Sequence, residues 1–544
     1  MSQSSRTWPP RLIFNTDGNW MTKYLPERRP EKISAQLDEL VGAGIEALSV
    51  LVGIDDAPSW RGSAHADMWG DHVEVWDPDP DVDGRGKPIP KKTGGGADLS
   101  HLEYLHKCLE ALIEDGRALM QIYIDACRQH EIAPYASFRM NDAHTSDEAR
   151  QWQVRGRQKR ARPDLLIGPL MTEGTHGWQW NFSWQWDYAQ EEVRRRFLGL
   201  IDEVLERFDF DGVELDWMRQ PPFFKSGQVF AQVDVLSEFM SQALALVRRH
   251  AAKKKKAIRL ITRIPPSLDE ATELGLDVRA WLKEGLADLF VLSSASLCTP
   301  AVDIAAAVKS AAASGSHVFS GFDGANHLSS PHEGYERGQP CVLRAVAHNG
   351  YLQGAAGVHL FNYDIPHHRA SPAESDGYNA DHLQLLGDLK NPQILAERDR
   401  GYSVADSHLG GNPGYTKGDH RPQVPRQLPI LKRGTGGRGY AMDMRIEDDL
   451  EAGLAQGRIE RTQLRLRLTE HEECIDRIIC RINGRDVAIA GSPTIQNQWG
   501  NTWLLIDDPP VRRGDNQILV GLDGLETPAP WPTLHQCEVL VFCR

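Results

Sequence analysis

The sequence predicts a (β/α)8 barrel with long rim insertions, followed by a C-terminal all-β sandwich. Three observations predict it. Strand-like and helix-like stretches alternate through residues 1–365, the pattern of parallel strands joined by helices. Polar or charged residues recur where those strands end, the face on which this fold carries its chemistry. Beyond residue 430 the helical spacing disappears and short alternating strands with turn signals take over.

In chain order, RLIFNTDGNW (11–20) reads as a first strand ending in Asp17. Residues 31–44 have helical spacing, end on glycine and lead into IEALSVLVG (45–53), a second strand. Residues 54–97 are a long insertion rich in Asp, Gly, Pro and Trp. A helix over about 99–130 then feeds IAPYASFRMNDAH (132–144), a third strand ending in Arg139, Asn141, Asp142 and His144. A second excursion fills 145–187, and a helix over 188–207 with acidic first turns delivers the chain to FDGVELDWMR (210–219). A helix at about 229–251 precedes IRLITRIPP (258–266), which carries Arg263, and the Lys253–Lys256 run before it reads as a solvated helix end. ADLFVLSS (287–294), HVFSGFDG (317–324) and GVHLFNYD (357–364) complete eight strands, their ends marked by Ser293, Asp323, and Asn362 with Tyr363 and Asp364.

Residues 366–430, rich in Pro, Gly, His and Asp, read as a linker or surface-wrapping segment. In 431–544 the strands TQLRLRLTE, DRIICRINGRDV, TWLLIDDP, NQILVGL and CEVLVFCR indicate a sandwich. Its role reads as packing, with sugar binding as the alternative.

The fourth strand concentrates the chemistry. Val213 and Leu215 face one way and Glu214 and Asp216 the other, because successive strand residues point to opposite faces. Two carboxylates on one face of so apolar a strand are either a buried pair satisfied by nearby arginines or a catalytic floor at the barrel mouth.

FDGVELDWMRQP (210–221) resembles the fourth-strand signature of the glycosyl hydrolase-like 10 barrels, and CRQHEIAPYASFR (127–139) and WQWDYAQEEVRRRFLGLIDEVLERFDFDG (184–212) are similar to that group's run-up to its third and fourth strands. The resemblance implies action on a carbohydrate, with Asp216 the matched acid and Arg219 the matched arginine. The stretch also resembles the D-G-x-D-x-D-W-E motif of the family 18 chitinases. Asp211, Glu214 and Asp216 fall on its first three acidic positions, but Met218 stands where that motif has its acid. A thioether cannot protonate a leaving group, so this second likeness implies shared architecture only.

Glycoside hydrolysis needs one carboxyl group to protonate the leaving oxygen and a second as nucleophile or base. Asp216 is expected in one role, with Glu214 below it to orient or tune it, and Asp323 as partner across the mouth ahead of Asp364, Asp17 and Asp142. Arg139, Arg219 and Arg263 fall on adjacent strand ends. They either pair with those acids or grip a uronate or sulfate, whose oxygens match a guanidinium fork. The expected substrate contacts are Asp17, Arg139, Asn141, Asp142, His144, Trp180, Trp217, Arg219, Arg263, Asn362, Tyr363 and Asp364.

Of the 15 tryptophans, Trp60, Trp69 and Trp76 lie in the first insertion and Trp178, Trp180, Trp184 and Trp186 in the second. About half are expected to stack on sugar and the rest to pack the loops down. DPDPDVDG (77–84) imitates a calcium loop, but the twelfth position from Asp79 is Pro90, so no metal is expected, nor any other cofactor. The eight cysteines form no C-x-x-C pair, which leaves no support for a zinc ribbon. Cys537 and Cys543 share a face of the last strand and leave a disulfide to Cys480 open.

A net charge of −14 argues against nucleic acid or an anionic membrane as the main partner; an oligosaccharide or polysaccharide is the expected one. The chain begins with no basic and apolar leader pattern, so the expected location is cytoplasmic, or periplasmic or secreted for a trimmed chain. Two alternatives to hydrolysis stay open: lyase chemistry using His144 or Tyr363 with Arg139, and an inactive barrel kept for glycan binding.

Overall fold

A computed structural model describes residues 7–16, 31–54, 57–69, 99–142, 157–168, 185–219, 221–225, 227–293, 302–323, 340–361, 380–405, 440–469, 475–489, 494–496, 502–523 and 533–544. Eight parallel strands close into a barrel: β1 (Leu12–Asn15), β2 (Ala47–Leu51), β3 (Ala133–Arg139), β4 (Gly212–Asp216), β5 (Arg259–Ile264), β6 (Leu289–Ser293), β7 (His317–Asp323) and β8 (Gly357–Phe361). The strands follow sequence order and β8 closes on β1. All five residues of β4 are buried, as expected where side chains fill the bore on one face and helices cover the other.

Register decides which side chains meet. Ser137 stands opposite Glu214, and Asp216 stands between Arg139 on β3 and Arg263 on β5. One acid and two arginines on three neighbouring strands therefore share one level at the C-terminal end.

Helices alternate with the strands: α1 (Glu31–Ala43), α2 (Leu99–Glu114), α3 (Leu119–Gln129), α4 (Glu191–Arg207), α5 (Val233–Lys254), α6 (Leu268–Glu273), α7 (Val278–Glu284), α8 (Ile304–Ala311) and α9 (Pro340–Leu352). α4 shows why they form. Glu191 and Glu192 sit in its first turn and Arg207 in its last, complementing the helix dipole, and Val193, Phe197, Leu200, Ile201, Val204 and Leu205 form one buried stripe. The single helix expected over 99–130 is two, because the chain turns at Gly116, whose φ of 72° favours glycine.

The lysine run that closes α5 is exposed at Lys253 and Lys255, as a solvated helix end is, and it also carries ion pairs. Lys253 pairs with Glu206 at 2.6 Å, Lys254 Nζ donates to the Phe208 carbonyl at 2.8 Å, and Lys256 pairs with Asp209 and Asp211. Arg128 adds ion pairs to the same two aspartates. These cations fix the turn that starts β4, so Asp211 acts at the N-terminal end of the strand, away from the mouth.

Residues 380–405, expected within a linker, form α10 (Ala380–Leu389), α11 (Pro392–Ala396) and β9 (Arg400–Ala405). Asn391 caps α11 by accepting from Gln393 N and Ile394 N, a helix start that a Pro- and Gly-rich composition obscures. The C-terminal strands are β10 (Tyr440–Ile446), β11 (Ile459–Thr469), β12 (Ile478–Ile482), β13 (Arg485–Val487), β14 (Thr494–Gln496), β15 (Thr502–Asp507), β16 (Gly514–Leu522) and β17 (Thr533–Cys543). They build two antiparallel sheets, β9-β17-β11-β15-β14 and β10-β16-β12-β13. Met442, Met444 and Ile518 from one sheet share a core with Leu464, Leu466 and Val539 from the other. Cys480, Cys537 and Cys543 are free thiols, which corrects the possible disulfide.

The chain forms two compact units, one of residues 1–295, 306–318 and 412–420, the other of 296–305, 319–411 and 421–544. Within the second, α9 joins β8 to the sheets. A Cβ on Gly350 would meet the Ser320 side chain of β7, and Gly401 of β9 lies against Cys341 and Val342. Asn349 donates to the Arg445 carbonyl at 2.7 Å and accepts from Glu447 N at 2.9 Å.

Candidate active site

The described part of the site is built on β1 to β5. Asp216 ends β4 with no exposed surface. Its Oδ1 accepts from Met218 N at 2.9 Å and Arg219 N at 3.2 Å, and its Oδ2 accepts from Arg263 Nη1 at 2.9 Å. The backbone turn after β4 thus wraps one oxygen while β5 holds the other. Arg263 is itself fully buried, so the pair is a desolvated ion pair.

Two residues deeper, Glu214 is held by three neutral donors from three other strands. Asn15 Nδ2 on β1 donates to Oε1 at 2.7 Å, Ser137 Oγ on β3 donates to Oε1 at 2.7 Å, and Ser49 Oγ on β2 donates to Oε2 at 2.7 Å. Glu214 therefore ties four consecutive strands together inside the bore.

At the mouth, Arg139 Nη1 donates to Asp142 Oδ2 at 2.7 Å, with both side chains buried. Burial pulls the Arg139 guanidinium below the usual arginine value; Asp142 opposes this, and the neighbouring positive charge of Arg219 adds to it. Lys159, from the short helix Arg157–Ala161, is 1% exposed and reaches the Asp142 carbonyl at 3.3 Å. Its ammonium also lies 5.4 Å from the centre of the Trp186 ring. Among the described residues around these strand ends, Arg139, Lys159, Arg219 and Arg263 are buried cations and Asp142, Asp187, Asp216 and Glu214 are buried carboxylates.

Two expected substrate contacts turn inward. Trp217 is fully buried and packs edge-on against Phe223 at 5.1 Å, Tyr188 at 5.4 Å and Phe239 at 5.7 Å. Asn141 accepts from Trp186 N at 2.8 Å and donates to the carbonyls of Trp186 at 3.1 Å and Pro222 at 2.8 Å. With its amide satisfied by backbone, Asn141 staples two loops to the end of β3.

The described insertion tryptophans also pack. Trp60, Trp69 and Trp186 are at most 4% exposed. Residues 57–69 form a strap across α4: Trp60 Nε1 donates to Glu203 at 3.0 Å, Ser63 Oγ donates to Glu203 at 2.6 Å, and Arg207 holds the Arg61 and Gly62 carbonyls. The His65 ring lies where a Cβ on Gly199 would stand.

Asp17, His144, Trp180, Asn362, Tyr363 and Asp364 lie outside the described residues, as do Trp76, Trp178, Trp184, the Asp79–Pro90 loop and the side chain of Asp323. Among the described residues no three His, Cys, Asp or Glu side chains gather as a metal site requires, and no helix is long and apolar enough to cross a membrane. The sequence reading missed Lys159, Asn15, Ser49 and Ser137. The last three carried a signal: each is a polar residue at an inward position of an apolar strand. Lys159 carried none, being one cation in a basic run.

No family model matches the chain, and no curated protein matches it. Among solved structures, the chain is similar to a cycloisomaltooligosaccharide glucanotransferase from Paenibacillus sp., at 12% identity over 97% of this chain and 57% of that one, with a TM-score of 0.34. It is similar to an alpha-L-fucosidase isoenzyme 2 from Paenibacillus thiaminolyticus, at 11% identity over 68% and 46%, TM-score 0.38. A third likeness is to the PgaB (BpsB) glycoside hydrolase domain from Bordetella bronchiseptica, at 10% identity over 66% and 96%, TM-score 0.40. The chain spans about half the length of the first two, 57% and 46%. At such scores these likenesses carry no weight for function, and the fold rests on strand order and register.

Proposed function

We propose that the chain is a carbohydrate-active hydrolase of the glycosyl hydrolase-like 10 type that cleaves glycosidic bonds at the C-terminal mouth of its barrel. The observation that supports this reading most is the clasp on Asp216: a strand-end carboxylate fixed by two backbone N–H groups and a buried guanidinium. With both oxygens held in place at the strand end, Asp216 takes the role of nucleophile or of charge stabiliser for an oxocarbenium-like transition state. The proton for the leaving oxygen then comes from a second carboxyl group. Asp323, at the end of β7, is proposed for it on strand position alone.

The substrate in this reading is acidic. Arg139 and Arg219 are buried near Asp216, and a planar guanidinium fork matches the oxygens of a uronate or sulfate. Arg219→Met should weaken turnover of a uronate oligosaccharide about tenfold or more while sparing a neutral one; an equal loss on both removes the acidic substrate from the account.

One observation favours a second reading, an inactive barrel that binds glycan. Asp216 and Arg263 have no exposed surface at all, which a purely structural ion pair also explains. Turnover separates the two: a hydrolase leaves a new reducing end, a lyase an unsaturated product absorbing in the ultraviolet, and a binder neither.

A further inference from the structure

Phe230 is 77% exposed, whereas the other large exposed hydrophobics among the described residues, Leu352 and Leu454, reach 44% and 40%. It sits on a single 3-10 turn, Val229–Gln232, immediately before α5. In a barrel of this kind the segment between a strand and the helix after it lies on the C-terminal face. Phe230 therefore belongs to the same strand-to-helix connection as Asp216 and Arg219, farther out on the rim.

The base of this ring is fixed. Phe223 and Phe224 are at most 1% exposed, and Phe223 packs on Trp217. Val229, the residue before Phe230, stands 3.3 Å from where a Cβ on Gly275 would be, with Phe224 at 2.7 Å from the same point. Gly275 has a φ of 84°, so that close approach depends on glycine. The neighbours Gln228 and Ala231 are also exposed. A single exposed aromatic face on a fixed base fits one ligand chemistry well, the flat C–H face of a pyranose ring.

We propose that Phe230 is an outer-subsite platform that stacks on a sugar ring of the bound oligosaccharide beyond the units held at Asp216. The inference rests on the carbohydrate reading above and extends it to chain-length preference. A platform out on the rim acts on long chains and is silent for short ones.

The test is calorimetric binding of galacturonate, glucosamine and glucose disaccharides and hexasaccharides to the full chain and to Phe230→Ala, Phe230→Leu and Phe230→Trp. The expected result is about tenfold weaker hexasaccharide binding for Phe230→Ala, consistent with one lost stacking contact. Disaccharide binding should be unchanged, Phe230→Leu should rescue poorly, and Phe230→Trp should restore wild-type affinity. The proposal is overturned if Phe230→Ala binds hexasaccharide like wild type, if disaccharide and hexasaccharide weaken equally, or if wild type binds none of the six probes. Sedimentation of wild type and Phe230→Ala adds one more overturning result: a wild-type dimer lost in the variant would make Phe230 a contact between copies. The catalytic reading fails separately, through turnover that survives Asp216→Asn with platform binding intact.

Discussion

At the scale of single residues, the arrangement turns on which carboxylate is held by what. Glu214 receives three neutral donors deep in the bore, whereas Asp216 receives two backbone N–H groups and a guanidinium at the strand end. The two are two residues apart and share a face, so sequence spacing treats them alike; the register with β3 and β5 separates them. Arg263→Met should cost about 3–5 kcal/mol in denaturant unfolding, because it strands a buried carboxylate. Ser137→Ala, which leaves Glu214 its contacts from Asn15 and Ser49, should cost about 1–3 kcal/mol without changing the chemistry at Asp216. A loss of turnover in Ser137→Ala larger than its loss of folded protein would show that Glu214 does more than hold strands together.

At the scale of elements, the strands were legible and several connections were not. The eight barrel strands follow from alternation and spacing, and so does the change to a sandwich, because both are repeated patterns that a single odd residue does not disturb. The inward turn of Trp217 was hidden because it depends on Tyr188, Phe223 and Phe239, which come from three other stretches of the chain. The ion pairs of the lysine run were hidden for the same reason: its carboxylate partners, Glu206, Asp209 and Asp211, lie more than 40 residues upstream. The strap over α4 gives a prediction whose sign is opposite to helix propensity. Glycine to alanine inside a helix ordinarily stabilises by about 1 kcal/mol. At Gly199 the new Cβ would fall 2.2 Å from the His65 ring, whose backbone carbonyl is held by Arg196. Gly199→Ala should therefore lower the melting temperature and expose 57–69 to limited proteolysis; a raised melting temperature would show that the strap yields freely.

At the scale of the whole molecule, pH acts through a buried histidine on α9. His348 on α9 is pushed down to about 4, by burial first and then by the positive charge of Arg400, with Asp448 opposing and Arg458 adding a smaller effect. Because the folded form resists the proton that the unfolded chain accepts, stability is full above the unfolded value near 6.5 and falls as pH drops from there to about 4. The loss from this one group is about 3 kcal/mol, and it should shrink in His348→Gln when unfolding is followed at pH 7 and pH 4.5. The same slope in both proteins would place the acid sensitivity elsewhere. The most direct test of the account compares wild type with Asp216→Asn on neutral and acidic oligosaccharides, reading reducing ends, ultraviolet absorbance and binding separately. The account predicts new reducing ends for wild type on an acidic member, a loss of about 10²–10⁴-fold in Asp216→Asn, and binding retained in both. Turnover undiminished in Asp216→Asn, or binding by wild type without turnover of any member, would contradict it.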